Sequence, residues 1–425
     1  MEKTVTIGII GLGYVGLPLA CLFARKYGVV GFDIRQGRID ELNAGHDATM
    51  EIGEEALRKA LDGNLTCTSD VADLQGCNVY IVTVPTPVDD YNVPDLTALK
   101  EASRLVGGVL KKGDTVIYES TVYPGVTEEV CVPVIEQVSG LACNRDFFAG
   151  YSPERINPGD KERTVENIRK ITSGSTPATA SFVDELYGSV LLGGTFPVSS
   201  IKVAEAAKII ENTQRDVNIA LMNEIAVVMN TMGIDTNEVI DAAATKWNFL
   251  PFRPGLVGGH CISVDPYYLI QKARMNGLIP RLMTEARLVN ESMGGYVANE
   301  VVRCMAHNRV VAKDSDILML GFTFKENCPD FRNTKVVEIY KHLSDYTGNI
   351  TVFDPWIDSV AVRERYGIVV ETDPAVLSGK LFDAVVHCVS HSCFRQMDLK
   401  GLCRPQGIVY DVKGSLDVAQ VTRRL

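Results

Sequence analysis

The run Thr4-Val-Thr-Ile-Gly-Ile-Ile10 leads without a break into Gly11-Leu-Gly-Tyr-Val-Gly16. β-Branched residues favour extended backbone, and the glycines mark a turn too tight for side chains. A buried strand that enters a Gly-x-Gly-x-x-Gly turn, followed by helical sequence over 17–26, opens a dinucleotide-binding βαβ unit. The glycine spacing alone is weak; its context is what counts. Asp33 stands at the tip of the next strand run, 28–33, which is 22 residues after Gly11. Gly11 permits the turn, Gly13 lets backbone approach a pyrophosphate, and Gly16 lets helix and strand pack closely, with Tyr14 and Val15 completing the loop. The helix start then offers its N–H groups to the phosphates. Asp33 accepts from the ribose hydroxyls and repels a 2′-phosphate, which selects NAD over NADP. Arg35 and Arg38 lie nearby, and Arg38 is counted with the cofactor residues. The bland alternative is a glycine turn in an ordinary α/β domain.

Strand-like runs recur at 78–84 and 114–119, with helical stretches between them such as 95–110. This alternation means a doubly wound, mostly parallel sheet. Near Pro197 the pattern changes. From Ser200 to Met232 apolar residues repeat at helical period without Gly or Pro, predicting a helix roughly 45 Å long with Ser200 as N-cap and Gly233 as its stop. Helical sequence continues to about residue 312. Strand runs at 316–321, 350–354, 383–389 and 407–411 then restore the βα rhythm. The expected fold is α/β: two Rossmann-like doubly wound domains joined by a long central helix and a helical region. The boundaries read as 1–196, 197–312 and 313–425. The second α/β half opens with Gly321-Phe-Thr-Phe-Lys325 and has no glycine fingerprint, although Lys325 and Arg332 would face the crevice where open sheets bind ligands.

A net charge of −11 argues against nucleic acid as a partner, whose footprint is basic. No apolar run of about 18 residues exists to span a membrane. Met1 runs directly into the strand pattern, leaving no room for a signal peptide. Eleven cysteines lack paired spacing, as expected of a reduced, cytoplasmic protein.

One cysteine stands apart. Cys261 lies in Gly258-Gly-His-Cys-Ile-Ser-Val-Asp265, and a thiol on a redox chain can hold an aldehyde for a second oxidation to the acid. Asp265, four residues on, shares its helical face. Simple packing fits the same pattern equally well, and His260 reads as structural. On the long helix Lys208 and Asn212 face one way and suit an oxyanion site. A solvated face is the other reading, as their neighbours Glu205 and Glu211 suggest. Glu154, in Ser152-Pro-Glu-Arg155 after a strand at 147–150, is placed to activate water or to sit on a surface loop.

Taken together, the chain resembles the UDP-glucose/GDP-mannose dehydrogenase family along essentially its whole length. The landmarks are Gly-Leu-Gly-Tyr-Val-Gly-Leu-Pro at 11–18, Val-Pro-Thr-Pro at 84–87, Glu-Ser-Thr-Val at 119–122, Ser-Pro-Glu-Arg at 152–155, Lys208 with Asn212, Gly-Gly-His-Cys at 258–261 and Gly-Phe-Thr-Phe-Lys at 321–325. Three stretches (154–159, 212–218 and 248–255) look like the branch acting on UDP-N-acetylhexosamines, and the likeness extends to its Vi-antigen type.

The resemblance implies NAD as cofactor, no metal, and four-electron oxidation of C6 of a UDP-N-acetylhexosamine for surface polysaccharide. It makes Cys261 the nucleophile of a thiohemiacetal and then a thioester. Lys208 and Asn212 stabilise the oxyanion, Asp265 and Thr121 order water, and Glu154 assists hydrolysis. Thr86, Thr121 and Arg332 are implied on the cofactor side. Glu154, Lys208, Asn212, Gly258, Lys325 and Lys413 are implied at the substrate, with Arg253 reaching a neighbouring subunit's substrate in a homodimer or larger oligomer. The resemblance thereby makes the helical region a helical dimerisation region. Two departures stand out: Ser263 where relatives carry Gly, and Lys413 where glucose-acting relatives carry Arg. UDP-N-acetylglucosamine is the first choice among the UDP-N-acetylhexosamines; the sequence does not separate it from its galactosamine and mannosamine epimers, and UDP-glucose is a further alternative. A two-electron β-hydroxyacid-type enzyme and an inactive NAD-binding regulator are the remoter alternatives.

Overall fold

A computed structural model describes residues 4–89, 91–156 and 163–425. Residues 1–3, and Asn157–Gly159 of the 154–159 motif, lie outside them. The chain divides into two compact units, 1–211 with 267–278, and 212–266 with 279–425.

The first unit is built on an eight-stranded sheet. Its strands are β1 (Thr6–Ile10), β2 (Gly28–Phe32), β3 (Leu65–Thr68), β4 (Val79–Val82), β5 (Thr115–Tyr118), β6 (Phe148–Tyr151), β7 (Lys170–Gly174) and β8 (Thr195–Pro197), in the order β3-β2-β1-β4-β5-β6-β7-β8. All pairs are parallel except β6 with β7. The order reverses at β1, the switch point where such sheets bind ligands. Ile7 and Ile9 of β1 pack with Leu17, Phe23 and Val183 in one core cluster. β3, β7 and β8 were not foreseen from sequence: they are short, and β7 opens on Lys170 and carries Thr and Ser.

The second unit repeats the plan with six parallel strands, β9 (Ile317–Leu320), β10 (Ile350–Phe353), β11 (Val370–Glu371), β12 (Phe382–His387), β13 (Cys403–Asp411) and β14 (Arg423–Arg424), ordered β11-β10-β9-β12-β13-β14. β9 is buried on both faces. Ile317 and Met319 join one apolar cluster with Met293, Val297 and Val301, while Leu318 and Leu320 join another with Phe394 and Val409. That split is the two-residue alternation of a strand.

The long helix covers Ile201–Met232, 32 residues or about 48 Å at 1.5 Å per residue. Its predicted ends hold. Ser200 Oγ accepts from Val203 N at 3.3 Å. Gly233 adopts φ +69°, and Ile234 N closes back onto Met229 O at 3.0 Å, a left-handed C-terminal stop.

Candidate active site

In the first unit the loop after β1 has the geometry its glycines imply. Gly11 adopts φ +98°, which side chains resist, and a Cβ on Gly16 would lie 1.8 Å from the Gly11 carbonyl oxygen. A Cβ on Gly13 would meet nothing within 4 Å, so the backbone there is open to a ligand. Tyr14 and Val15 are half-buried between them. Asp33 Oδ2 accepts from Leu12 N at 3.1 Å and Oδ1 from Arg35 N at 3.0 Å, so the carboxylate is clamped to the loop it would serve. Arg38 is buried. Its Nε donates to Leu12 O at 3.0 Å and its guanidinium pairs with Asp47 at 2.7 Å, bracing the loop through its backbone. Thr83, unmarked by any sequence signal, donates from Oγ1 to Gly11 O at 2.7 Å. The open Gly13, the close Gly11–Gly16 approach and the clamped carboxylate all fit a dinucleotide.

Thr86, Thr121, Glu154 and Lys208 belong to the same unit. Thr86 Oγ1 donates to Thr121 O at 2.7 Å, and Tyr268 OH donates to Thr86 O at 2.9 Å. Glu154 is buried, its Oε1 accepting from Arg155 N and Ile156 N at 2.5 and 2.6 Å. Lys170 Nζ lies 3.4 Å from its Oε2 and 2.6 Å from Glu119 Oε2, and Tyr187 OH donates to Glu119 Oε1. Burial pushes the Glu119 carboxyl up to about 7, against the pull of the Lys170 ammonium. Burial works against the charge on Lys170, but the facing Glu119 and Glu154 carboxylates outweigh it and raise its pKa.

The long helix does not present a solvated face at Lys208. Lys208 is only 5% exposed, and Glu205 is fully buried, accepting from Gly125 N at 2.5 Å and Thr127 N at 2.9 Å. Only Glu211 matches the solvated expectation in part, half-buried and paired with Arg155 at 2.6 Å.

In the second unit Asn212 is fully buried, and its Nδ2 donates to Asp265 Oδ2 while Arg215 donates to its Oδ1. Asp265 N and Val264 N both close onto Cys261 O, at 2.8 and 3.0 Å. Cys261, half-buried, thus sits one helical turn before the carboxylate that holds Asn212. Both preceding glycines are sterically required: a Cβ on Gly258 would lie 2.7 Å from Asn333 O, and Gly259, at φ +85°, would press one within 2.8 Å of the Phe324 ring. Asn333 Nδ2 donates to Gly259 O at 3.1 Å, and so does Ser263 Oγ at 2.7 Å, which gives the departure at 263 a role in holding the turn.

His260 turns to Asp330 at 3.1 Å, a structural contact. Burial opposes charge on Asp330, but hydrogen bonds from Arg332 and His260 outweigh it and hold the carboxyl well below the usual range. Lys325 is half-buried in the loop after β9, and Lys413 is exposed just after β13. Arg253 pairs with Asp241 and donates to Asn237 O at 3.2 Å.

Sequence comparison places the chain among known proteins. Residues 5–191 match the NAD binding domain of the UDP-glucose/GDP-mannose dehydrogenase family, 202–292 its central domain and 318–418 its UDP binding domain. The chain is 54% identical over 426 residues, covering 100% of both sequences, to a UDP-N-acetyl-D-glucosamine 6-dehydrogenase of Pseudomonas aeruginosa. It is 50% identical to one of Salmonella typhi, covering 99% of each. The structure of a UDP-D-ManNAc dehydrogenase of Pyrococcus horikoshii superposes with a TM-score of 0.90 at 31% identity, over 99% of this chain and 98% of that one.

Proposed function

Because this chain belongs to the UDP-glucose/GDP-mannose dehydrogenase family, we propose that it oxidises C6 of UDP-N-acetylglucosamine to the carboxylate, with Cys261 carrying the intermediate. The observation that carries this reading is the ordered Asn212–Asp265–Cys261 arrangement on glycines that admit no side chain. Full-length identity to enzymes named for that sugar supports the choice of substrate.

The loop at 11–16 with Asp33 holds NAD, which when bound supplies the hydride acceptor for both oxidations. Lys208 and the Asn212 amide stabilise negative charge on the C6 oxygen as its proton leaves; an amide carries two N–H donors, and Asp265 takes one. The Cys261 sulfur adds to the aldehyde carbon, forming a C–S bond and a thiohemiacetal, whose oxidation leaves a thioester. Glu154 takes a proton from water, the water oxygen attacks the acyl carbon, and the C–S bond breaks to return the thiol and release the acid. Asp265 and Thr121 order water for these transfers. Gly258, Lys325 and Lys413 belong to the substrate side, Thr86 and Arg332 to the cofactor side.

A homodimer fits the long helix, which exposes Leu221, Val228 and Met232 along one stripe. Arg253 would then serve the neighbouring subunit's substrate. Eleven cysteines without a disulfide suit the reducing cytoplasm, and among the described residues no helix is long and apolar enough to cross a membrane. The product suits the assembly of a surface polysaccharide.

NADH yield against a panel of UDP-hexoses and UDP-N-acetylhexosamines tests the reading. About two NADH per UDP-N-acetylglucosamine are expected, and Cys261→Ser should stop acid formation. One NADH per sugar, or full turnover by Cys261→Ser, overturns it.

A further inference from the structure

Lys170 is a fully buried cation to which the mechanism above gives no task. Its Nζ has three acceptors: Glu119 Oε2 at 2.6 Å, Pro153 O at 3.2 Å and Glu154 Oε2 at 3.4 Å. An ammonium has three N–H bonds, so every one is assigned and the head group cannot turn. Two of the acceptors belong to consecutive residues, Pro153 and Glu154. Behind the pair, Tyr187 OH donates to the second oxygen of Glu119, and the ammonium lies 5.4 Å from the Tyr187 ring centroid. Glu119 is itself buried.

Such a pair adds little net stability, since an apolar residue of similar volume serves folding as well. An apolar residue cannot donate to Pro153 and Glu154. Among the described residues two backbone N–H groups hold Glu154 Oε1 and Lys170 holds Oε2, so Lys170 contributes the third of about four hydrogen bonds a carboxylate accepts.

We propose that Lys170, backed by Glu119 and Tyr187, is a positioning residue for the hydrolytic half of the reaction: it fixes the orientation and the charge environment of Glu154. This rests on the reading of Glu154 as the group that activates water. Glu119 divides the cation's attention. With Glu119 ionised, Lys170 is shared between two carboxylates and Glu154 keeps its basicity. With Glu119 neutral, the whole positive charge falls on Glu154 and weakens it as a base. Burial, which pushes Glu119 up to about 7, puts that change near neutral pH.

The test separates the two halves of turnover on the full-length enzyme. NADH formation is followed before the steady state with NAD and UDP-N-acetylglucosamine, and enzyme quenched during turnover is weighed intact. Lys170→Met should keep a burst of about two NADH per site, then turn over roughly 10²-fold more slowly, with an acyl group on Cys261. Glu119→Gln, which keeps the shape and an amide oxygen for Lys170 while its NH2 donates to the Tyr187 hydroxyl, should show the same signature at about tenfold or more. Glu154→Gln reports on the underlying reading. If it accumulates no acyl-enzyme, that reading fails. If it does, while Lys170→Met and Glu119→Gln lose burst and steady state by equal factors or are unchanged, the proposal alone is overturned. Should Lys170→Met fail to fold, Glu119→Gln decides.

Discussion

Glu205 offers a quantitative test of how the loop carrying Thr121 is fastened. Its carboxyl is fully buried and accepts from the backbone N–H groups of Gly125 and Thr127, at the start of the helical stretch that runs through Val132–Ser139. Burial pushes the group from 4.5 up to about 7, outweighing the two N–H bonds that pull it down. A carboxyl whose folded pKa lies above its unfolded value binds its proton more tightly when folded. Its contribution is therefore fully present below about pH 4.5 and is lost as pH rises through about 7. About 2.5 pH units correspond to about 3 kcal/mol. Glu205→Gln stays neutral and removes this slope, but offers one acceptor to two N–H groups, which costs about 1–3 kcal/mol. The wild type should exceed Glu205→Gln in stability at pH 5, and the gap should close or invert by pH 8. Urea unfolding followed by far-UV circular dichroism at several pH values measures it. A gap that stays constant from pH 5 to pH 8 would refute the reasoning.

Other substitutions probe the remaining elements. Gly16→Ala would put its Cβ 1.8 Å from Gly11 O and 2.5 Å from Thr83 Oγ1; NAD affinity by titration calorimetry should fall by at least about tenfold, and an unchanged affinity removes this loop from the cofactor site. Gly259→Ala combines φ +85° with a 2.8 Å contact to Phe324, a strain of about 1–3 kcal/mol; kcat should drop while the KM for NAD holds, and equal changes in both argue against a local effect on the thiol turn. Asp330 is held low, so its stabilisation is present above its unfolded value of 3.8 and lost as pH falls; Asp330→Asn should unfold at a higher pH on acid titration. Leu221→Asp with Val228→Asp, at positions 52% and 46% exposed, should yield monomers by light scattering, and an intact dimer would move the interface elsewhere.

Much of this molecule is written locally. The Gly11–Gly16 turn, Asp33 at its strand tip, the ends of the long helix at Ser200 and Gly233, and the left-handed Gly259 before Cys261 all depend on backbone conformation or on neighbours a few residues away, which sequence displays directly, whereas Gly258 is required by the distant Asn333 carbonyl. The strands missed, β3, β7 and β8 in the first sheet and β11 and β14 in the second, are short or polar and are strands only because the sheet completes their hydrogen bonds. The same limit governs the charged residues. Glu205 and Glu211 are two turns or less apart on one helix and look alike in sequence. Yet one is fully buried beneath Gly125 and Thr127, and the other stays half-exposed against Arg155. Lys170 gave no signal either, because its partners come from β5's end and the loop after β6, 51 and 16 residues away. Periodicity and turn chemistry are properties of adjacent residues, so sequence alone determined the βα plan, the cofactor loop and the candidate thiol. Burial and the pairing of charges depend on which distant segments close over a side chain, and only the tertiary structure decided those.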